Sequence, residues 1–152
     1  MRRHMILSAA LIVVGCLIEA GPSIADGALA IAMPVSGDPN QGFHYSMQLD
    51  AHDADTAASH VMSSCRAADN PKIAAACRLI GTFHDQCVAL ALNGDATDTN
   101  IHDAPLVGVG WAIEKDTATA TSVAIAECEK MRNGRQKACL ILGQVHCNGT
   151  AK

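Results

Sequence analysis

Six of the cysteines in this chain come as two matching sets of three. Cys65, Cys77 and Cys87 recur in order as Cys128, Cys139 and Cys147, at offsets of 63, 62 and 60 residues. The surrounding text repeats too. GFHYSMQLDAHDADTAASHVMSSCR and CRLIGTFHDQC in the first copy answer to VGVGWAIEKDTATATSVAIAECEK and CLILGQVHC in the second. Repeats of this length mark solenoids when they are many, but two copies are too few for an array. The spacing predicts one α+β domain made of two similar β-α-β(β) halves, about 27–92 and 106–148. A pseudo-two-fold would relate them, with two helices packed on antiparallel sheet.

Met1-Arg2-Arg3-His4 is short and basic, and residues 5–15 (MILSAALIVVG) carry no charge. A basic start and a short apolar run make the pattern of a secretory signal. The run is too short to span a bilayer, which takes about 20 residues. Ser23-Ile24-Ala25 places small residues at both positions ahead of Asp26, favouring cleavage after Ala25. The expected layout is a signal peptide over 1–25 and a mature domain over 26–152, secreted or periplasmic. Val13-Val14-Gly15-Cys16 offers an alternative: a lipoprotein signal over 1–15, with Cys16 acylated and the domain held in the envelope.

Export puts the remaining six cysteines where disulfides persist. Fifteen pairings are formally possible. In each half one cysteine sits in the last turns of the helix and one begins the next strand, so Cys65–Cys77 and Cys128–Cys139 would tie helix to strand. Cys87 and Cys147 then remain, at the ends of matched strands, and their pairing would clasp the halves. The tightest spacing, Cys139-x7-Cys147, is not that of a zinc knuckle. There is no C-x-x-C, so thioredoxin-like exchange is disfavoured.

Local patterns place the elements. Residues 28–33 (ALAIAM) form a short apolar run ended by Pro34 and Gly37. As an unpaired edge, this run could pair across subunits in a homodimer. In 43–49, Phe43, Tyr45, Met47 and Leu49 alternate to one face. Asp53 or Asp55 caps the first helix, whose inner stripe is Ala57, Ala58, Val61, Met62 and Cys65. Asn70-Pro71 ends it. Residues 77–83 and 87–92 read as strands, and 93–105 as a polar loop. The segment 106–113 (LVGVGWAI) is the next strand, where Gly108 and Gly110 suggest a bulge or a close crossing. Asp116 or Thr117 caps the second helix, with Ala120, Val123, Ala124, Glu127, Cys128 and Met131 near its inner face. Residues 138–146 form the last strand.

Composition narrows the function classes. Removing Arg2, Arg3 and Glu19 with the signal moves the formal charge from −4 to −5. Lys and Arg are scattered, so the positive footprint that captures phosphate is missing and nucleic acid is disfavoured as a partner. Phe43, Tyr45, Phe83 and Trp111 are the only aromatics, too few for a stacking platform. Trp111 is expected in the core.

The candidates for chemistry are histidines beside acids. His52 and Asp53 stand near Asp50 and Asp55, His84 precedes Asp85, His102 precedes Asp103, and His60 lies three residues from Ser63. A hydrolytic triad needs an activated nucleophile, an oriented base and an oxyanion hole. Ser59, Ser63 and Ser64 lack a nucleophile-elbow context. His52, Asp53 and Asp55, with Asp95, Asp98, His102 and Asp103, have ligand-type side chains but match neither the calcium loop nor H-E-x-x-H. The expected protein carries no catalytic, cofactor or metal site. Asn148-Gly149-Thr150 has the form of a glycosylation sequon but reads as a tail.

The strand Gly27-Ala28-Leu29-Ala30-Ile31-Ala32 and the alanine-rich helix Ala57 to Cys65 belong to a wider pattern. It continues through Cys77-Arg78-Leu79-Ile80, Cys87-Val88-Ala89-Leu90-Ala91 and Gly108-Val109-Gly110-Trp111-Ala112, ending with Cys139-Leu140-Ile141-Leu142 to Cys147. The arrangement resembles the DUF4189 family of small exported bacterial proteins of unassigned function, over about 27–148. It departs from the family at Ile31 and Ala32, where an aromatic is common, and in longer loops at 66–76 and 93–105. The resemblance brings no catalytic residues. Some members resemble secreted factors acting on host cells.

The expected function is a non-catalytic, extracytoplasmic protein-binding module, monomer or homodimer. Its contact element is the loop bearing Asn93, Asp95, Asp98, His102 and Asp103, since loops on rigid scaffolds carry recognition. The alternatives are a small hydrolase or divalent-metal binder using His84 or His102, and a lipid-anchored envelope protein.

Overall fold

A computed structural model of the chain describes residues 26–33, 42–93, 108–132 and 138–152. The expected signal segment, Cys16, and the loop residues Asp95, Asp98, His102 and Asp103 lie outside the described residues.

The order of elements is β1 (Asp26–Ala32), β2 (His44–Ala51), α1 (Ala54–Arg66), α2 (Pro71–Ala75), β3 (Cys77–His84) and β4 (Cys87–Asn93). Then come β5 (Val109–Glu114), α3 (Thr117–Arg132), β6 (Cys139–Ile141) and β7 (His146–Cys147). Two antiparallel sheets result, one ordered β2-β1-β3 and one β5-β4-β6, with β7 also paired to β4.

Period-two alternation in the central strands decides the layering. Leu29 and Ile31 of β1 meet Val88, Leu90 and Leu92 of β4 in a core shared by both sheets, with Phe43, Phe83 and Val109. The alanines between them turn the other way. Ala28, Ala30 and Ala32 pack on Ala57, Val61 and Cys65 of α1. Ala89 and Ala91 pack on Ala120, Ala124 and Cys128 of α3. The molecule is thus helix, sheet, sheet, helix. Large side chains fill the space between the sheets, and small ones let each helix approach closely. Each buried Leu or Ile contributes about 1.5–3 kcal/mol of apolar transfer.

The helices start alike. Asp53 Oδ1 accepts from the Thr56 amide at 2.7 Å, and Asp116 Oδ1 accepts from the Thr119 amide at 2.8 Å. In both, the buried residues fall every fourth position from the cap: Ala57, Val61 and Cys65, then Ala120, Ala124 and Cys128. Glu127, expected inside, is half exposed and pairs with Lys130.

Strand registers match between the sheets. Ala32↔Cys77, Ile31↔Arg78 and Ala30↔Leu79 in the first correspond to Asn93↔Cys139, Leu92↔Leu140 and Ala91↔Ile141 in the second. Leu29↔Met47 and Ala30↔Ser46 correspond to Leu90↔Trp111 and Ala91↔Gly110. Each sheet follows one plan: a central strand, a hairpin partner, a helix, and a third strand on the opposite side.

Several expectations need correction. The boundary at 92 moves, because β4 pairs with β5, β6 and β7 and so opens the second half. The run 28–33 is not an edge. β1 is the centre of its sheet, and Ala28 to Ala32 are 0% exposed, so it offers nothing to a second subunit. There are three described helices rather than two. α1 ends at Arg66, ahead of the Asn70-Pro71 stop expected for it, and Pro71 opens α2, where its missing amide costs nothing. The final strand splits into β6 and β7 because Gly143, with φ of 64°, turns the chain between them.

Three disulfides close the fold: Cys65–Cys77, Cys87–Cys147 and Cys128–Cys139. Two tie a helix to the following edge strand. The third joins facing residues of β4 and β7, so it lies within the second sheet rather than clasping the halves as expected. No helix among the described residues is long and apolar enough to cross a membrane.

Candidate functional site

Among the described residues, a polar cluster lies at the turn from β3 to β4. His84 ends β3 opposite Asp26, its register partner on β1. Its Nδ1 lies 3.0 Å from Asp26 Oδ1, and its Nε2 lies 3.5 Å from Asp85 Oδ2. Asp85 takes a left-handed φ of 49°, a conformation aspartate tolerates better than most residues.

The C-terminal segment folds back over this turn. Asn148, 1% exposed, accepts from the Gln86 amide at 3.1 Å and donates from Nδ2 to the Phe83 carbonyl at 2.8 Å. The Thr150 amide donates to Asp85 Oδ1 at 2.7 Å. That bond above all, and then the Thr150 side chain, holds the Asp85 carboxyl below the usual carboxylate range. Gly149 needs its positive φ of 59°, and a Cβ there would lie 2.1 Å from Asp85 Oδ1. At the end of the chain, the Lys152 carbonyl accepts from the Thr117 amide at 3.1 Å. Asn148-Gly149-Thr150 is therefore a clasp rather than a loose tail. The amide nitrogen that a sequon would offer is engaged inside the fold.

The sequence singled out His84 and Asp85 but missed Asp26, Asn148 and Thr150 as their neighbours. Only the sequon-like triplet behind Cys147 drew notice to that end. Both ring nitrogens of His84 face carboxylates, whereas the base of a hydrolytic triad turns one nitrogen to the nucleophile.

The other acidic candidates have structural duties. Asp53 caps α1, and donation from the Thr56 amide, then His52, keeps its carboxyl below the usual range. Its neighbour His52 is 94% exposed in its side chain. Asp116 is held low in the same way by Thr119. His60 and Ser63 are both exposed on α1. Asp55 is exposed in the first turn of α1. No group of three or more His, Cys, Asp or Glu side chains among the described residues is placed to hold a metal ion.

The expected contact loop is visible only at its roots. Asn93 is buried at the end of β4, and its amide donates to the Gly108 carbonyl at 3.1 Å. Leu92 pairs with Val109 just below. The chain thus leaves and re-enters a hairpin whose two strands are already paired. β1 and β4 both start beside the 84–87 turn, so the connections 34–41 and 94–107 both depart from the far ends of these strands. Trp111, expected in the core, is half-buried. The Arg78 guanidinium lies over its ring, 5.8 Å from the centroid, joining β3 of one sheet to β5 of the other.

A family model described as a domain of unknown function, DUF4189, matches residues 27–146. No curated protein and no solved structure matches the chain.

Proposed function

The chain belongs to the DUF4189 family, and from that premise we propose that it is a non-catalytic binding module that contacts another protein outside the cytoplasm. The supporting observation is the hairpin of β4 and β5. Antiparallel strands paired up to Leu92 and Val109 need only about two residues to connect. Here residues 94–107 intervene, and excursions this long in a compact domain usually serve function. Their sequence, GDATDTNIHDAPLV, brings Asp95, Asp98, His102 and Asp103 to one connection, a chemistry that suits a partner surface with basic groups. A scaffold with three disulfides spares such a contact the cost of ordering its base.

The location is secreted or periplasmic, after removal of residues 1–25, with lipid anchoring through Cys16 as the alternative. A factor acting on host cells is one form such a partner relation takes. The matched strand orders and registers support a pseudo-two-fold running along the strands between the sheets.

The test uses mature protein with its disulfides intact as bait against envelope and host-cell extracts. A parallel bait has 94–107 replaced by an Asn-Gly turn. A protein retained by the first and lost from the second supports the reading. Equal retention by both, or no specific partner with a folded bait, counts against it.

A hydrolase using His84 is the second reading, favoured by the Asp26 carboxylate 3.0 Å from Nδ1, as in a base and its orienting acid. Asp85 beside Nε2 weakens it. Replacing His84 by Gln in a protein shown to hydrolyse a substrate would separate the two readings.

A further inference from the structure

The two open edges between the sheets are equivalent in register but unequal in filling. Where β3 lies against β5, side chains bridge the gap, and a smaller cavity of about 240 Å³ stays beside Trp111, lined by Val109, Glu127 and Met131. Arg78 covers Trp111, and Ile113 Cδ1 comes within 3.4 Å of the position a Cβ would take at Gly81. Where β2 lies against β6 and β7, a groove of about 410 Å³ remains. Tyr45, Met47, Leu90, Leu142, Gln144 and His146 line it.

Register names what is missing. Met47 faces Leu29 as Trp111 faces Leu90, and Leu140 faces Leu92 as Arg78 faces Ile31. The indole of the bridged edge is thus replaced by a thioether at the open edge. The residue in place of the covering arginine is a leucine, 59% exposed. The backbone spacing at this register accommodates an indole on one edge, and on the other that space is lined but unfilled.

We propose that this groove binds a small planar aromatic ligand of indole or phenol size. The ring lies beside Met47 and Leu142, in the space left because a methionine stands where the other edge has the larger Trp111, and its polar edge meets Gln144 and His146. The volume falls within the usual range for small-molecule sites, about 300–1,000 Å³. The lining is mixed: Met47, Leu90 and Leu142 offer apolar contact, and Tyr45, Gln144 and His146 offer polar groups that can fix orientation. Methionine sulfur suits an aromatic face and adapts to rings of different shape. The site uses different residues from the proposed protein contact and does not depend on it.

Indole is the probe. Titrated into the disulfide-intact protein, it is expected to give saturable shifts in the methyl NMR signals of Met47, Leu90 and Leu142. The substitution Met47→Trp fills the space and should weaken indole binding by about tenfold or more. Leu79→Ser, on the exposed face of β3, should leave it unchanged. If Met47→Trp disturbs the fold, Gln144→Lys places a charge at the groove and should also weaken binding. The proposal is overturned if the groove methyls do not saturate at millimolar indole, if the shifts centre on Trp111 instead, or if a folded Met47→Trp protein binds indole as wild type does.

Discussion

Asn148 Nδ2 donates to the backbone carbonyl of Phe83 at 2.8 Å, across 65 residues of sequence. The same side chain accepts from the Gln86 amide. One buried amide thereby satisfies both sides of the turn that passes from the first sheet to the second. Phe83 itself lies over Gly27, where a Cβ would come within 2.2 Å of its ring. The end of the chain, the turn between the sheets and the start of β1 form one packed corner.

Asn148→Ala leaves the Phe83 carbonyl and the Gln86 amide without their partner. The cost of such orphaned groups is about 1–3 kcal/mol. A lower urea midpoint with an unchanged slope is expected, together with faster hydrogen exchange at Thr150. An unchanged midpoint would contradict the clasp.

Two glycines should respond differently. A Cβ at Gly110 would lie 2.0 Å from the Ala124 carbonyl and 2.4 Å from the Cys128 amide, because β5 runs directly under α3. Gly110→Ala must push helix and strand apart, with an overpacking cost of about 1–3 kcal/mol. At Gly81 the nearest atom is a side-chain methyl at 3.4 Å, so Gly81→Ala should change thermal stability little. Equal losses at both positions would contradict the close approach of α3.

Much of this plan was legible in the residues. The repeated cysteines marked two strand–helix–strand units, and the cap candidates, Asp53 or Asp55 and Asp116 or Thr117, include the two that the structure uses, Asp53 and Asp116. What the sequence hid was pairing at a distance. ALAIA in β1 and ALALN in β4 are equivalent central strands, but neither carries a local signal of how many neighbours it has. Hence β1 read as an edge, and β4 was assigned to the wrong half. The clasp was hidden for a similar reason: Asn148 and Thr150 act through partners some 65 residues away. The polar loop over 93–105 was recognisable from composition, but only the buried Asn93, paired to Gly108, shows that the chain there leaves a paired hairpin.

Acid should loosen the clasp and the caps together. The carboxyls of Asp53, Asp85 and Asp116 are held below their ordinary value by amide donors. A depressed pKa contributes stability that is complete above the unfolded value, about 4, and disappears as pH falls through the folded value. Stability should therefore fall below about pH 4, and Asp85→Asn should flatten that part of the profile. A profile identical to wild type would remove Asp85 from the account.

The bridges should differ in weight. Cys87–Cys147 closes 60 residues, against 12 and 11 for the other two. Chain-entropy estimates give about 4 kcal/mol for the long loop and about 3 kcal/mol for the short ones. Replacing Cys87 and Cys147 together by Ser should cost the most in a denaturation series, and a smaller loss than for Cys65 with Cys77 would contradict the ordering.

The central claim is that two equivalent halves are each stapled helix to strand, and that a further bridge lies inside the second sheet, between β4 and the last strand. Mass spectrometry of peptides from the unreduced mature protein tests it most directly. The account predicts linked peptides joining Cys65 to Cys77, Cys128 to Cys139 and Cys87 to Cys147. A peptide joining Cys65 to Cys87, or any cysteine of one helix to a strand of the other half, would contradict it.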